Sequence, residues 1–577
     1  MAGKPKASFY VALGVVVVGL VAFAIYQADV FFPEEQEPGK KQRGDVVLDD
    51  FTPETVEAPD GGRLATVGEY TKIPGEGLPP PEGTAAYQAL VDNTVRFSLN
   101  VWAGWGPIIL ANNGFKAGKV WKNPDGGDFK VELVLIDDPV AMRDAYAAGQ
   151  VHVGWATLDM VPLFMDGFVR ANDPLVMPRI YQQIDWSNGG DGIVVREGIK
   201  TVRDLRGKEI VLAKNSPSEY FALFSLVTGG VQPREVKWTY TATAFEAARA
   251  FEVEKQIAAA VSWAPDIYNL AEAKGNRMLV TTATANKLIA DVWFARADFA
   301  RDHAGICEGL VRGIFDAMEE LKLAQNKQRC AQLMAEGYGI PADEVLSMFA
   351  DAHSTNWGEN FEFFLNKNNP TNFESIWNSA YDLYWQIGSI QQRKVSAFEV
   401  MDARIIDKLG KEEKYRRQKP EYGVAFVPKD PGRVRVEADE ILTNTIVIRF
   451  APNDWDLNKK ITREVDGQTV EELYDPNVPS VLKQAAQRTE TFGAARIIIE
   501  GHTDSSMQGQ VPEGLVKDLS MKRANAVKEA LVEEYSLDPD RFSVDGFGWA
   551  RPADPDDQFN HAKNRRVEIK VYSAEAQ

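Results

Sequence analysis

Between residues 95 and 263 the chain alternates short runs of β-branched and aromatic residues with segments of helical period, and nothing else restricts its fold as strongly. Strands are predicted at 95–101, 131–136, 151–155, 192–196, 209–213, 236–240 and 258–263, with helices at 140–148, 219–227 and 244–253 between them. A strand that returns through a helix lies parallel to its predecessor, so parallel α/β sheets are expected. Residues 372–409 continue in helical pattern. The unit 91–410 is long for a single core, which predicts two lobes.

Around this unit the texture changes. Residues 8–28 hold no charged side chain, and as a helix these 21 residues would span roughly 31 Å, enough to cross a bilayer. Lys4 and Lys6 precede the run while Asp29, Glu34, Glu35 and Glu37 follow, which puts the N-terminus in the cytoplasm and the rest outside. A transmembrane anchor over 1–30 is therefore expected, the alternative being a signal peptide cleaved near Ala22-Phe23-Ala24. Residues 31–90 are rich in proline, glycine and acids, including Pro79-Pro80-Pro81-Glu82-Gly83, and read as a flexible tether. A charged, proline-bearing linker is expected over 411–437, followed by a C-terminal domain over 438–577. The fold class is thus multidomain α/β: an N-terminal transmembrane helix, a two-lobed α/β domain and a smaller α+β domain.

Charge and motif content narrow the function. A net charge of −19 disfavours polyanionic partners, so nucleic acid is not expected. The chain holds no phosphate loop, no His-Glu-x-x-His and no Gly-x-Ser-x-Gly, and its histidines and two cysteines lack metal-ligand spacing. No enzyme activity, cofactor or metal is expected. Cys307 and Cys330 fit either one disulfide in an oxidising compartment or two buried thiols.

Three C-terminal motifs occur in order: Ile497-Ile498-Ile499 leading into Glu500-Gly501-His502-Thr503-Asp504, then Leu519-Ser520-x-x-Arg523-Ala524, then Asn564-Arg565-Arg566-Val567-Glu568-Ile569. A strand ending at Asp504 sets a carboxylate at its mouth, and Ser520 is placed to cap a helix with Arg523 in its first turn. Together they suit a zwitterion, Asp504 accepting from an ammonium and Arg523 gripping a carboxylate. The motifs resemble the OmpA-like peptidoglycan-binding domain. The resemblance implies that Asp504 and Arg523 hold the diaminopimelate of the peptidoglycan stem; Val516 stands where the family carries Asn. Arg565 and Arg566 are expected to buttress the fold, and His502 to pack locally.

The middle unit resembles the periplasmic solute-binding proteins of ABC importers, in particular the nitrate/sulfonate/taurine group. The resemblance is carried by Leu99-Asn100-Val101-Trp102-Ala103-Gly104-Trp105, Ala147-Ala148-Gly149-Gln150-Val151-His152-Val153-Gly154, Ser187-Asn188-Gly189-Gly190-Asp191, Asp204-Leu205-Arg206-Gly207-Lys208 and Trp263-Ala264-Pro265-Asp266. Ligands of open α/β sheets bind beyond the carboxyl ends of strands. That rule nominates Trp102, Trp105, Thr157, Asp159, Ser187, Asn188, Asp191, Ser216, Ser218, Trp263 and Asp266, with Ser216-Pro217-Ser218 opening a helix whose free N–H groups favour an anion. The expected function is a periplasmic solute-binding protein, anchored in the inner membrane. It would capture a small zwitterion or anion, serve an ABC permease and dock on peptidoglycan. The alternative is a structural scaffold linking membrane to cell wall, its cleft filled by its own side chains.

Overall fold

The computed structural model describes residues 65–465 and 468–573. The expected transmembrane segment and the first part of the tether lie outside these residues. Among the described residues no helix is long and apolar enough to cross a membrane.

The described residues open with β1 (Lys72–Ile73) and build a first lobe from β2 (Thr94–Leu99), β3 (Val120–Lys122), β4 (Asp128–Leu135), β5 (Val153–Thr157) and β6 (Pro178–Ser187). It crosses to a second lobe of β7 (Asp191–Arg196), β8 (Glu209–Ala213), β9 (Lys237–Thr241), β10 (Ala259–Trp263) and β11 (Asn276–Thr281), then returns through residues 282–289 to β12 (Ala290–Arg296) and β13 (Ala352–Ser354). The first lobe's sheet runs β13-β6-β12-β5-β2-β4-β3 and the second lobe's β1-β9-β8-β10-β7-β11. β5 and β12 are buried along their whole length, as expected of central strands covered on both faces. Local rules set the helices between: Thr243 and Glu246 form a capping box at the start of Ala244–Val253.

The expectation of parallel sheets needs correction. β2 pairs parallel with β4 and β5, and β8 parallel with β9 and β10, yet β12 runs antiparallel to β5 and β6, and β7 antiparallel to β10 and β11. Strands that arrive from the other lobe owe nothing to a crossover helix and can pair in either sense. β6 and β12 were not anticipated as strands, because Gln182, Gln183, Asp185 and Asp291 interrupt their apolar pattern while remaining buried.

The stretch 65–90, read from sequence as tether, is laid across the two lobes. On the second lobe Thr66 donates its amide to Asp266 at 2.9 Å, Tyr70 and Lys72 bond Glu254, and β1 pairs antiparallel with β9. On the first lobe Arg143 donates to the Pro79 carbonyl at 2.6 Å, the Ala85 amide donates to Ala147, and Tyr87 packs edge-on against Phe299. Proline and glycine content signalled the lack of helix and of any strand beyond the two residues of β1; the backbone bonds go to neighbours far along the chain instead. Residues 411–437 are likewise docked, with Tyr415 buried beside Phe315 and Tyr422 stacked 4.1 Å from His353.

The C-terminal domain holds β14 (Glu440–Ile446), a hairpin of β15 (Lys460–Val465) and β16 (Gln468–Leu473), then β17 (Arg496–His502), β18 (Phe542–Gly548) and β19 (Arg566–Tyr572). Its main sheet runs β14-β19-β17-β18, and helix Glu513–Tyr535 carries the chain from β17 to the parallel β18. A Cβ on Gly501 would stand 1.9 Å from the Ser520 carbonyl, so glycine there lets the helix lie on the sheet. The domain packs on the second lobe and its connection: Phe224 meets Phe492, Arg277 pairs with Asp439 at 2.7 Å, and the Lys287 amide donates to Thr491.

Arg296 is fully buried, pairs with buried Asp298 at 2.9 Å and donates to the Ala85 and Ala147 carbonyls. Arg296→Met strands the Asp298 carboxylate and frees the strap. Thermal denaturation followed by circular dichroism should show a loss of about 3–5 kcal/mol. Gly501→Ala should destabilise the C-terminal domain by about 1–3 kcal/mol through overpacking, read by urea unfolding.

Candidate functional site

Between the lobes, the register of three neighbouring strands lines up polar side chains. Asp291 on β12 faces Thr157 on β5 and Asp185 on β6. Asp185 accepts from the Trp102 indole at 3.1 Å and is the register partner of Asp291, which sets two buried carboxyls beside each other. Burial pushes Asp185 up to about 7 and Asp291 well above the ordinary carboxylate range, where the negative charge of Asp185 adds to the rise. Asp159, just beyond β5, is completely buried and neither of its oxygens meets a hydrogen-bond donor in good geometry. Burial lifts it to about 7, partly opposed by the nearby Thr157 hydroxyl.

The second lobe contributes Asp191, which accepts from the Ser187 hydroxyl at 2.7 Å and is raised to about 7 by burial. Thr282, unforeseen from the sequence, ties both interlobe crossings together: its hydroxyl accepts from the amides of Gly189 at 2.9 Å and Asp191 at 3.2 Å, and meets Ser187 at 2.9 Å. Trp102 and Trp263 flank this corner. Trp102 lies over Gly190, where a Cβ would stand 3.0 Å from the indole, and Trp263 is the register partner of Asp191.

Other nominated residues are placed differently. Trp105 is a core residue, fully buried against Phe97 with its indole donating to Asn100 at 2.7 Å. Ser216 donates to the Ala213 carbonyl within its own turn, and Asn188 is held by Tyr422 and the Ala350 carbonyl. Asp266 is engaged by Thr66 of the strap. The helix end at Pro217–Thr228, expected to welcome an anion, already has one: Glu219 accepts the Asn215 amide at 2.8 Å and the Lys214 ammonium at 2.6 Å, both side chains buried. Ser218, also in that first turn, is buried with its hydroxyl unpartnered. Helix Phe373–Gln386 packs against both lobes, bringing the buried, unpartnered Tyr384 hydroxyl among these groups. Beyond it the Ser389 hydroxyl accepts from Lys214, and the Gln391 and Gln392 amides donate to Asp166. A surface depression of about 560 Å³ lies elsewhere, lined by Pro174, Arg179, Tyr181, Arg301 and Arg404.

In the C-terminal domain Asp504 and Arg523 stand close enough to influence each other's charge, but they do not bond to one another. Arg565 pairs with Asp504 at 3.1 Å, with His561 at 3.5 Å and the Ser506 amide donating at 2.8 Å. Burial would raise Asp504; the Ser506 bonds, Arg565 and His561 outweigh it and hold the carboxyl below its ordinary value. Arg523 donates to the Asp454 and Ala451 carbonyls and lies over Phe450. Ser520 is not an N-cap: the helix begins at Glu513, and the buried Ser520 hydroxyl accepts the Gly548 amide at 2.9 Å, pinning the helix to the end of β18. Of the two arginines read as buttresses, Arg566 does pair with Glu568 at 2.7 Å, whereas Arg565 belongs to the Asp504 site. Cys307 and Cys330 are both free and buried.

Glu500, His502 and Glu568 lie near enough together to hold a metal ion. Their charge is already met by Arg435, Arg551, Arg566 and Lys570, which makes the cluster a poor cation site. His502 stacks on Phe547, and burial together with Arg566 lowers it to about 4.

Burial of the interlobe acids ties stability to pH. Asp159 is raised from 3.8 to about 7, so the folded state holds its proton longer than the unfolded chain. Its contribution favours folding below pH 4 and is lost as pH rises through 7. Asp159→Asn should therefore raise stability at pH 8, by up to about 4 kcal/mol, and flatten its pH dependence between 4 and 7, as read by urea denaturation at a series of pH values.

Comparison with known proteins separates the two halves of the chain. The outer membrane protein Omp38 of Acinetobacter baumannii is 35% identical over 115 residues, which is 20% of this chain and 30% of that protein. The chain thus spans about a third of the length of the curated relatives it matches. The periplasmic aliphatic sulphonate binding protein of Escherichia coli aligns with 54% of this chain and 92% of its own, at 20% identity and a TM-score of 0.41. The periplasmic nitrate-binding protein of Synechocystis PCC 6803 covers 60% of this chain and 94% of its own, at 14% identity and the same TM-score. Residues 449–566 match the OmpA family, so this chain carries an OmpA domain at its C-terminus.

Proposed function

We propose that this protein works in the cell envelope, binding a small solute between its two α/β lobes and docking on peptidoglycan through its OmpA domain. The reading is carried by one observation: buried polar groups are left at the lobe boundary without a hydrogen bond of good geometry, Asp159 beside the Thr157 hydroxyl on the first lobe and Ser218 on the second. A lobe interface that served only as packing would fill or pair such groups. Trp102, Ser187, Asp191 and Trp263 complete the proposed solute site.

On the OmpA domain, Asp504 and Arg523 are the proposed contacts to the diaminopimelate of the peptide stem. Arg565 holds the Asp504 carboxylate in the free protein, and an incoming ammonium would take its place. The segment 8–28 would anchor the chain in the inner membrane, and an ABC permease is the proposed recipient of the solute. No catalytic role is proposed for either domain.

A scaffold reading has its own support. The strap 65–90 and helix Phe373–Gln386 each bridge the lobes and hold them together. Titration calorimetry of the full chain against small-solute mixtures separates the readings: heats of binding that vanish in Asp191→Asn support capture, whereas silence throughout supports the scaffold.

Purified sacculi should retain the wild-type chain in a pull-down, and Asp504→Ala or Arg523→Ala should each weaken retention about tenfold or more, the size of a lost charge-assisted bond. Undiminished retention of the double variant would remove both residues from the proposed contact.

A further inference from the structure

The interlobe site has an unusual charge balance. Asp159, Asp185, Asp191 and Asp291 are all at least nine-tenths buried, and each lies within electrostatic reach of another of the four. No described lysine, arginine or histidine hydrogen-bonds or ion-pairs with any of them. The nearby Lys214 is already taken by Glu219 at 2.6 Å, and Glu219 also fills the helix end that could have received an anion. Carboxylates gathered without a counter-ion repel one another and meet burial by holding protons. Asp185 and Asp291, side by side in the register, are both raised by burial, and the charge of Asp185 adds to the rise of Asp291.

A second observation is independent of the acids' number. The hydroxyls of Ser218 and Tyr384 are buried and unpartnered, and Asp159 and the neighbouring Thr157 hydroxyl make no hydrogen bond of good geometry. These groups can accept from N–H donors, and Asp159 stands within electrostatic reach of Asp191, Asp291 and Tyr384. On the approach to Asp191, Trp102 and Trp263 are partly exposed, and Asp351 stands beside them on the rim. Indole faces attract cations and are indifferent to anions.

Building on the solute-binding reading above, we infer that the interlobe site takes an organic cation bearing N–H donors, an ammonium or amidinium, and not an anion. Its positive group is received by Asp159 and Asp191, with Thr157 and Ser218 as neutral acceptors and Trp102 and Trp263 as walls. Binding displaces protons from the carboxyls, so affinity falls as pH is lowered from 8 to 5.5.

The test uses the full chain and thermal-shift measurements, with ethanolamine, butane-1,4-diamine and guanidinium chlorides as cationic probes and sodium ethanesulfonate and sodium nitrate as anionic ones. At saturation, at least one cation should raise the unfolding midpoint at pH 8 by about 3 °C. The shift should shrink at pH 5.5 and disappear in Asp159→Asn, whose own ligand-free midpoint at pH 8 should be higher than wild type. Thr157→Val is the second variant and should weaken apparent affinity about tenfold, so that about ten times the cation concentration is needed for the same shift from that variant's own ligand-free midpoint. A response to an anion alone would overturn the inference and leave solute capture standing. No response to any probe, joined with silence in the calorimetric titration above, would overturn both. A cation response unchanged in both variants would overturn the assignment to this site.

Discussion

The two crossings between the lobes decide the geometry of everything that follows. Residues 188–190 and 282–289 pass side by side, and the Thr282 hydroxyl accepts two amides of the first crossing while meeting Ser187. This one side chain holds Asp191 at the lobe boundary, while the Trp102 indole, bonded to Asp185, lies over Gly190. The second crossing also meets the OmpA domain, through Lys287 with Glu490 and through its amide to Thr491. The connection between the lobes is thus also part of the contact with the OmpA domain.

Two further elements bridge the lobes. The strap 65–90 runs from Asp266 and β9 on one lobe to Arg143, Ala147 and Phe299 on the other. Helix Phe373–Gln386 and the turn after it connect Lys214 on the second lobe with Asp166 on the first. Buried polar groups remain at the centre of this closure. Their desolvation opposes folding unless something else satisfies them, which separates the interlobe site from an ordinary core.

Much of the architecture was legible from local pattern. The strand at Glu209–Ala213 and the helix at Ala244–Val253 coincide with the residues read from periodicity, because side-chain alternation and capping are properties of a few neighbouring residues. The motifs around Asp504 and Arg523 were equally legible, since their spacing is short. Trp105 shows the limit: an aromatic after a strand reads the same whether it faces a cleft or a core, and only packing against Phe97 places it. Ser520 shows another, as a serine before a helical run resembles a cap while in fact lying two turns inside the helix.

The sequence by itself determined the alternating α/β middle unit, the OmpA motifs with their acid and base, and the excess of acidic charge. All three follow from composition and short-range periodicity. The tertiary structure decided strand direction, the fate of the strap, and which charges meet. Asp185 faces Asp291 across 106 residues, and Arg565 reaches Asp504 across 61, because strand register and domain packing bring them together. Whether a buried carboxylate has a partner depends on such distant contacts, so the uncompensated acids between the lobes could be recognised only once the chain was folded.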